Sequence, residues 1–345
     1  MKLLFIVPKL YYGGAELQMR HIINFGIKQE YDIEIIDIET KEDIEENYEV
    51  IQMKKNILLE DRNKIIKFYE RIKLYLELKK RINKGKYDYV VFFNILLLPL
   101  TYLIKNKIVF SVREYNNDYF KKFDKYLRKV TILTTNNTPS YIFMKTKYNN
   151  VFLQNNYVKN YKEIVRKIEK ENKSYLIVSN INEHKNILPV VKVFKQLEDK
   201  GYKLKIAGKI SNQNYYEKLL REINQVKNIK ILGSLPYEKL EEEYLKAEGV
   251  IHLSKQEGTP NALLDAIKFK KKFICLSTSE NVYLFAETPI FMINKEEELE
   301  EKIYELEKVD YSKEINFLFE KIKMMFSEKN IKEFYKLLEK NIKEG

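Results

Sequence analysis

The chain of 345 residues is poor in the residues that staple or metallate small proteins. One cysteine cannot form an internal disulfide, and no Cys-x-x-Cys or Cys/His ligand cluster exists, which points to a reducing compartment. His21, His184 and His252 are scattered without metal spacing. His252, inside an apolar run, reads as a satisfied core histidine. No two aspartates stand two apart, so an Asp-x-Asp metal motif is absent. So are a Walker loop and a Gly-x-Gly-x-x-Gly, which argues against an NTPase or a dinucleotide dehydrogenase. Long hydrophobic runs are missing too. Met1–Leu10 lacks the extended apolar core of a signal peptide, and Val90–Ile104, broken by Asn94 and Pro99, falls short of the roughly 20 residues a spanning helix needs. The expectation is a cytoplasmic protein.

What is present is an ordinary globular composition, 45% hydrophobic and 32% charged, long enough for two domains. The net charge of +12 is unevenly placed. Residues 1–160 hold 28 basic and 19 acidic side chains, and Lys54–Lys86 alone holds 12 and 4. Such concentration suits a partner surface. Asn63–Lys86, with Ile65, Ile66, Phe68, Ile72, Leu76 and Leu78 among its lysines, and Tyr119–Lys129 suit an anionic bilayer. An ordinary amphipathic helix with a wet lysine face explains them equally well. Nucleic acid is the poorer partner, because no recognition module appears.

Short β-branched runs alternate with helical patterns, as in parallel α/β sheets. Strands are expected at Leu3–Val7, Asp32–Ile38, Val90–Phe93, Ile108–Val112, Val130–Leu133 and Val151–Leu153. The pattern restarts at Tyr175–Ser179 and runs through Lys203–Ala207, Ile229–Leu232, Val250–Leu253 and Phe273–Leu276. Helices are expected at Glu16–Lys28 and Asn63–Arg81, near Asn186, Gln213, Pro236 and Pro260, and through Glu296–Gly345. Tyr157–Lys173 has no strong period and reads as a linker.

Four segments carry chemistry. In Glu257-Gly258-Thr259-Pro260-Asn261-Ala262-Leu263-Leu264-Asp265 a buried strand gives way to a helix opening at Pro260. Amides around Gly258–Leu263 then make an anion site, flanked by carboxylates that accept from sugar and ribose hydroxyls. A capped helix with a turn glycine would look the same. Lys185, in Asn180-Ile-Asn-Glu-His-Lys185-Asn186, stands where a strand end offers a point charge to a diphosphate, although a solvated lysine is the commoner fate. Gly13 and Gly14 let the backbone approach a ligand closely, or simply turn the chain. Arg113, in Ser111-Val-Arg113, is a cleft cation or an ion-paired surface residue.

Together these segments resemble the retaining glycosyltransferases of the GT-B fold, family 4. The Glu257 stretch is similar to their E-x7-E signature, with Asp265 for the usual Glu. Phe269–Phe273 stands where the family has a Gly and a Pro before its next strand. The Lys185 segment resembles Gly-Arg-Leu-x3-Lys, with Asn180 at the Arg position. Gly13-Gly14-Ala15-Glu16 is similar to the family's phosphate-lining loop, and Ser-x-Arg to the variant without the catalytic His.

The resemblance implies two Rossmann-like α/β domains with parallel sheets facing a central cleft: 1–160 on the acceptor side, 161–325 binding the nucleotide sugar, and 326–345 as a helix packing back on the first. It implies Lys185, Glu257 and Arg113 as catalytic. Gly13, Gly14, Asn180, Gly208, Gly258, Thr259, Pro260, Asn261, Ala262, Leu263 and Asp265 are implied as donor-binding. No metal or other cofactor is implied. The co-substrate would be a UDP- or GDP-sugar, and the acceptor a saccharide or lipid-linked saccharide in polysaccharide synthesis. A nucleotide-sugar epimerase, or a donor-binding scaffold without turnover, shares these features.

Overall fold

The computed structural model describes residues 1–8, 14–39, 49–55, 64–113, 117–158, 168–255 and 257–343. Gly13, named above as donor-binding, and most of the expected linker lie outside them. By compactness the chain divides into two units, Met1–Tyr157 with Glu328–Gly345, and Val158–Ser327.

In the first unit seven strands form one parallel sheet: β1 Lys2–Val7, β2 Asp32–Asp37, β3 Val50–Gln52, β4 Tyr89–Phe92, β5 Lys107–Val112, β6 Ile132–Thr135 and β7 Val151–Leu153. Their order is β3-β2-β1-β4-β5-β6-β7. Runs such as Leu3–Val7 are apolar without alternation because both faces of the sheet are covered. Leu4, Ile6, Val90 and Phe92 point to one face. The other receives Leu3, Phe5, Tyr89 and Val91.

The first face packs on Leu74, Leu78 and Ile82 of a long basic helix. The helices here are α1 Gly14–Lys28, α2 Lys64–Gly85, α3 Asn117–Leu127 and α4 Thr138–Lys145. The second face takes Met19, Ile22 and Ile23 of α1. It also takes Ile331, Phe334, Tyr335 and Leu338 from the last helix, Lys329–Lys343. Tyr335 donates to the Ile22 carbonyl at 2.9 Å, and Tyr89 to that of Leu338 at 3.1 Å.

The second unit carries β8 Ser174–Val178, β9 Lys203–Ala207, β10 Ile229–Gly233, β11 Gly249–His252, β12 Lys272–Leu276 and β13 Met292–Ile293. They form a parallel sheet in the order β10-β9-β8-β11-β12-β13. Helices α5 Ile187–Gln196, α6 Gln213–Glu222, α7 Tyr237–Lys246, α8 Asn261–Lys268, α9 Ser279–Phe285, α10 Leu299–Lys308 and α11 Ser312–Met325 belong to it, and Lys329–Lys343 is α12. The strand order reverses between β8 and β11, the switch point where open α/β sheets bind ligands beyond the carboxyl ends of their strands.

Three differences from the sequence reading have local causes. Val130 is no strand residue: its N–H closes a turn on Leu127, so β6 begins at Ile132. The apolar stretch after β4 becomes a 3-10 helix, Ile95–Tyr102, begun by Asn94, whose side chain accepts from Leu96 N. Pro260 caps α8 from outside, and the helix starts at Asn261. Among the described residues, no helix is long and apolar enough to cross a membrane.

Candidate functional site

The switch point brings together two segments far apart in sequence: Ser179–Asn186 after β8 and Leu253–Pro260 after β11. Backbone and side chain stitch them. The His184 carbonyl accepts from Lys255 N and from Ser254 Oγ, each at 3.3 Å. Asn186, in the left-handed conformation with φ 55°, donates from Nδ2 to Glu296 Oε1 at 2.8 Å. Lys255 Nζ reaches the same oxygen at 2.7 Å.

Within this frame Lys185 Nζ lies 2.5 Å from Glu257 Oε1. His252 Nε2 is 3.0 Å from that same oxygen. The residues are largely enclosed, with side-chain exposures of 22% for Lys185, 14% for Glu257 and 5% for His252. Burial alone would push the Glu257 carboxyl up, but His252 and Lys185 outweigh it and hold the group down at about 2. Glu257 is therefore an ionised acceptor whose charge is balanced locally. His252, expected to be a satisfied core histidine, is buried, and as the last residue of β11 it stands against the carboxylate. An isolated histidine in a strand gives no spacing signal that could have revealed this.

Helix α8 begins directly after this cluster, so its amide end adjoins the Lys185–Glu257 pair in the chain. The N–H groups of Leu263 and Leu264 already donate to the Pro260 carbonyl, at 2.9 and 3.2 Å. The anion site expected over Gly258–Leu263 thus ends before Leu263, whose buried side chain serves the core. Gly258 and Thr259 are buried in the turn, and Ala262 is buried in the first turn of the helix.

Asp265 sits one turn into α8, facing α7. Burial raises its carboxyl to about 7, against the pull of Lys268 and with reinforcement from Glu241. Lys268 Nζ donates to Tyr237 Oη at 2.8 Å, and Tyr244 Oη to the Ala262 carbonyl at 3.1 Å, so α7 closes over this side of the helix. The two carboxyls of one motif differ widely in proton affinity, which separates their chemical roles.

Asn180 lies half-buried just past β8, and its neighbour Gly208 follows β9 with φ 156°. A Cβ on Gly208 would stand 1.8 Å from the Ser179 carbonyl oxygen, so only glycine lets the two loops approach. The lysines of Phe269–Phe273 are structural. Lys271 Nζ donates to the Leu245 and Ala247 carbonyls, each at 2.7 Å, and Lys272 Nζ to Glu248 at 2.6 Å.

Arg113 and Gly14 belong to the first unit. Gly14 is the exposed first residue of α1. Arg113 follows β5, donates from Nη1 to Asn156 Oδ1 at 2.9 Å, and lies 4.2 Å from the centre of the Phe93 ring. Burial lowers its guanidinium to about 9 although Glu16 opposes the shift. Among the described residues no three His, Cys, Asp or Glu side chains are grouped to hold a metal ion.

Residues 158–316 match the family model described as glycosyl transferases group 1. Three solved structures resemble the chain over nearly all of both lengths. A glycosyltransferase from Rickettsia africae has a TM-score of 0.71 at 16% identity, covering 99% of this chain and 97% of its own. A TarM mutant from S. aureus, in complex with fondaparinux, alpha-GlcNAc-glycerol and UDP, scores 0.75 at 13%, covering 98% and 99%. Sucrose-phosphate synthase from Thermosynechococcus elongatus scores 0.82 at 11%, covering 100% of each. At these identities the likeness establishes the fold. A sequence comparison with curated proteins gives no match.

Proposed function

We propose that this chain, a glycosyltransferase of the GT-B fold with a group 1 domain over 158–316, moves a hexose-type sugar from a nucleoside diphosphate donor with retention and without a metal. The observation that carries the reading is the Lys185–Glu257 pair beside the amide end of α8 at the sheet's switch point. Glycosyl transfer leaves negative charge on the departing diphosphate. Lys185 and the first α8 amides are the positive groups that stabilise it, worth about 3 kcal/mol for a well-placed donor. Glu257, kept ionised, accepts from sugar hydroxyls and orients the ring. Asp265 accepts from the ribose. No enzyme nucleophile is required: the acceptor oxygen bonds the anomeric carbon on the face the diphosphate leaves, and the leaving phosphate takes the acceptor's proton. A UDP-sugar is the favoured donor, supported by the UDP in the TarM complex; a GDP-sugar is the second.

The acceptor is a saccharide or a lipid-linked saccharide. The lipid-linked class is supported by α2, where Phe68, Tyr69, Ile72 and Leu76 are exposed opposite the buried Leu74, Leu78 and Ile82, with Lys73 and Lys80 alongside. Such a helix suits the surface of an anionic membrane. Sedimentation with phosphatidylglycerol vesicles, lost in Phe68→Ser/Leu76→Ser and absent with neutral vesicles, is the expected result; equal binding to both kinds removes that surface from the reading.

Turnover of UDP-, GDP- and ADP-sugars by Glu257→Ala tests the core of the proposal. A loss of about 10²–10³ in kcat is expected, and full turnover with a matched donor and acceptor would overturn it. Conversion of donor without any acceptor would favour an epimerase. Binding without turnover in the wild-type chain would favour a scaffold.

A further inference from the structure

The basic surface of the first unit holds a place where lysines gather without an answering charge. At the amino ends of β4 and β5, the end of α2 and the segment before β5 enclose a cavity of about 390 Å³. Lys79, Asn83 and Lys86 line it from the α2 side and Lys105 and Asn106 from the other, over a floor of Ile82 and Leu103. Among the described residues no carboxylate lines it. Other lysines at this edge are engaged: Lys2 with Glu34 at 3.0 Å, and Lys107 with the Asn341 carbonyl at 2.8 Å. Lys79, Lys86 and Lys105 pair with no described residue. The carbonyl end of α2 carries only about half a negative charge, so most of the three positive charges stand unanswered. A cavity in the second unit, lined by Lys203, Lys205, Lys227 and Lys230, is built the other way, with Glu171 and Glu198 among its walls.

Converging ammonium groups suit an anion with oxygens on several sides. Among the described residues no arginine lines the cavity, so a planar carboxylate finds no fork, and no ring lines it on which a base would stack. A phosphate monoester, with a charge of about −1.5 to −2 and three terminal oxygens, matches what is there. The helix itself indicates the source. Phe68, Ile72, Leu76, Lys79 and Asn83 follow one another at steps of four, four, three and four, which is one stripe of α2. The first three are exposed, and Lys79 stands about 10 Å along the axis from Ile72. An apolar stripe thus ends at the lysine cavity, so one face of α2 meets acyl chains along its length and a headgroup at its end. We propose that this cavity is a phosphate-monoester site, filled by the headgroup of an anionic phospholipid. It shares no residue with the donor site and stands independently of the donor reading.

The test compares Lys79→Ser/Lys86→Ser/Lys105→Ser with Lys203→Ser/Lys227→Ser/Lys230→Ser, which removes the same charge from exposed lysines of the second unit. Affinity for phosphatidylcholine vesicles containing phosphatidic acid is expected to fall about tenfold or more in the first variant and to stay within about twofold in the second. Inorganic phosphate is the soluble probe, with chloride at equal ionic strength as its control. It is expected to shift the side-chain amide resonances of Asn83 and Asn106 in the wild-type chain and to leave them in place in the first variant. A selective loss of vesicle binding makes the lipid headgroup the source. Vesicle binding kept by both variants, with the phosphate response lost in the first, assigns the cavity to a soluble phosphate monoester instead. Equal weakening by the two variants would reduce the cavity to diffuse surface charge and overturn the proposal, as would amide resonances that respond to phosphate no more than to chloride. Failure of sugar transfer by the wild-type chain would overturn the donor reading and leave this test standing.

Discussion

The two edges of the second unit's sheet carry similar residues and differ in what they can do. At the carboxyl edge Lys185 meets Glu257. At the amino edge Lys205 meets Glu171 at 2.7 Å and Glu243 at 2.8 Å, and Lys272 meets Glu248. The amino edge even holds a cavity of about 380 Å³, lined by Glu198, Tyr202, Lys203, Lys205, Lys227 and Asn228 among others. Neither buried ion pairs nor cavity size therefore marks the site. Helix polarity does. In a parallel α/β unit the connecting helices run back against the strands, so their amide ends gather at the carboxyl edge and their carbonyl ends at the amino edge. Lysines at the amino edge answer carbonyls and carboxylates of the fold itself, as Lys271 does for Leu245 and Ala247. Lys205 is held charged by two glutamates that outweigh the cost of its burial. Lys185 shares a single carboxylate oxygen with a histidine, beside a helix start, and can be recruited elsewhere.

Removing each lysine breaks the comparison most sharply. Lys185→Met is expected to lower kcat by about 10² through loss of leaving-group stabilisation, with a small change in melting temperature. Lys205→Met should do the reverse, costing about 1–2 kcal/mol of stability, after allowance for solvent screening of a partly exposed pair, and leaving kcat unchanged. Steady-state kinetics beside thermal melts of both variants reads this. Equal kinetic losses would mean that helix polarity does not separate the two edges.

A smaller effect distinguishes the two carboxyls of the carboxyl edge. Glu257 is ionised at any working pH, whereas Asp265, raised to about 7, is half-protonated near neutrality. A ribose hydroxyl that donates to Asp265 needs the carboxylate, so binding pulls its pKa down and affinity for UDP should rise with pH. The rise is expected to approach about fourfold between pH 6.5 and 8, a window above the second phosphate ionisation near 6. It should level off above that. Calorimetric titration of UDP across this range reads the effect, and Asp265→Asn should flatten it. The same shift has a stability consequence of fixed sign. The folded chain holds this proton more tightly than the unfolded one, so the Asp265 contribution to stability falls as pH rises from about 4 to about 7.

The strands were legible because parallel strands covered on both faces read as unbroken apolar runs, and Val151–Leu153 and Lys203–Ala207 stand as read. Short elements with mixed composition, such as β3 and β13, carry too few residues for a period to appear. Lys185 and Glu257 are 72 residues apart, and only the family resemblance joined them; their contact is a product of the crossover that sets β11 beside β8. The partners of that pair were invisible for the same reason. His252, Asn186 and Glu296 acquire meaning only once three loops converge, and no local spacing encodes that convergence.

The smallest effect is expected at the far end of α8, in the loop where the resembling family has glycine. Lys270 follows the helix with φ 52°, a left-handed conformation that costs an ordinary residue about 1 kcal/mol. Glycine would remove that strain. It would also forfeit about 0.5–1 kcal/mol through greater freedom of the unfolded chain, and the contact of Lys270 Nζ with the Phe319 ring of α11 at 5.3 Å, worth roughly 0.5 kcal/mol. The terms nearly cancel, so Lys270→Gly should move the melting temperature by no more than about 2–4 °C in either direction and leave UDP affinity unaltered. A loss of affinity there would mean that the amino edge is coupled to the site through α8, and the functional separation of the two edges would fail at a helix that spans both.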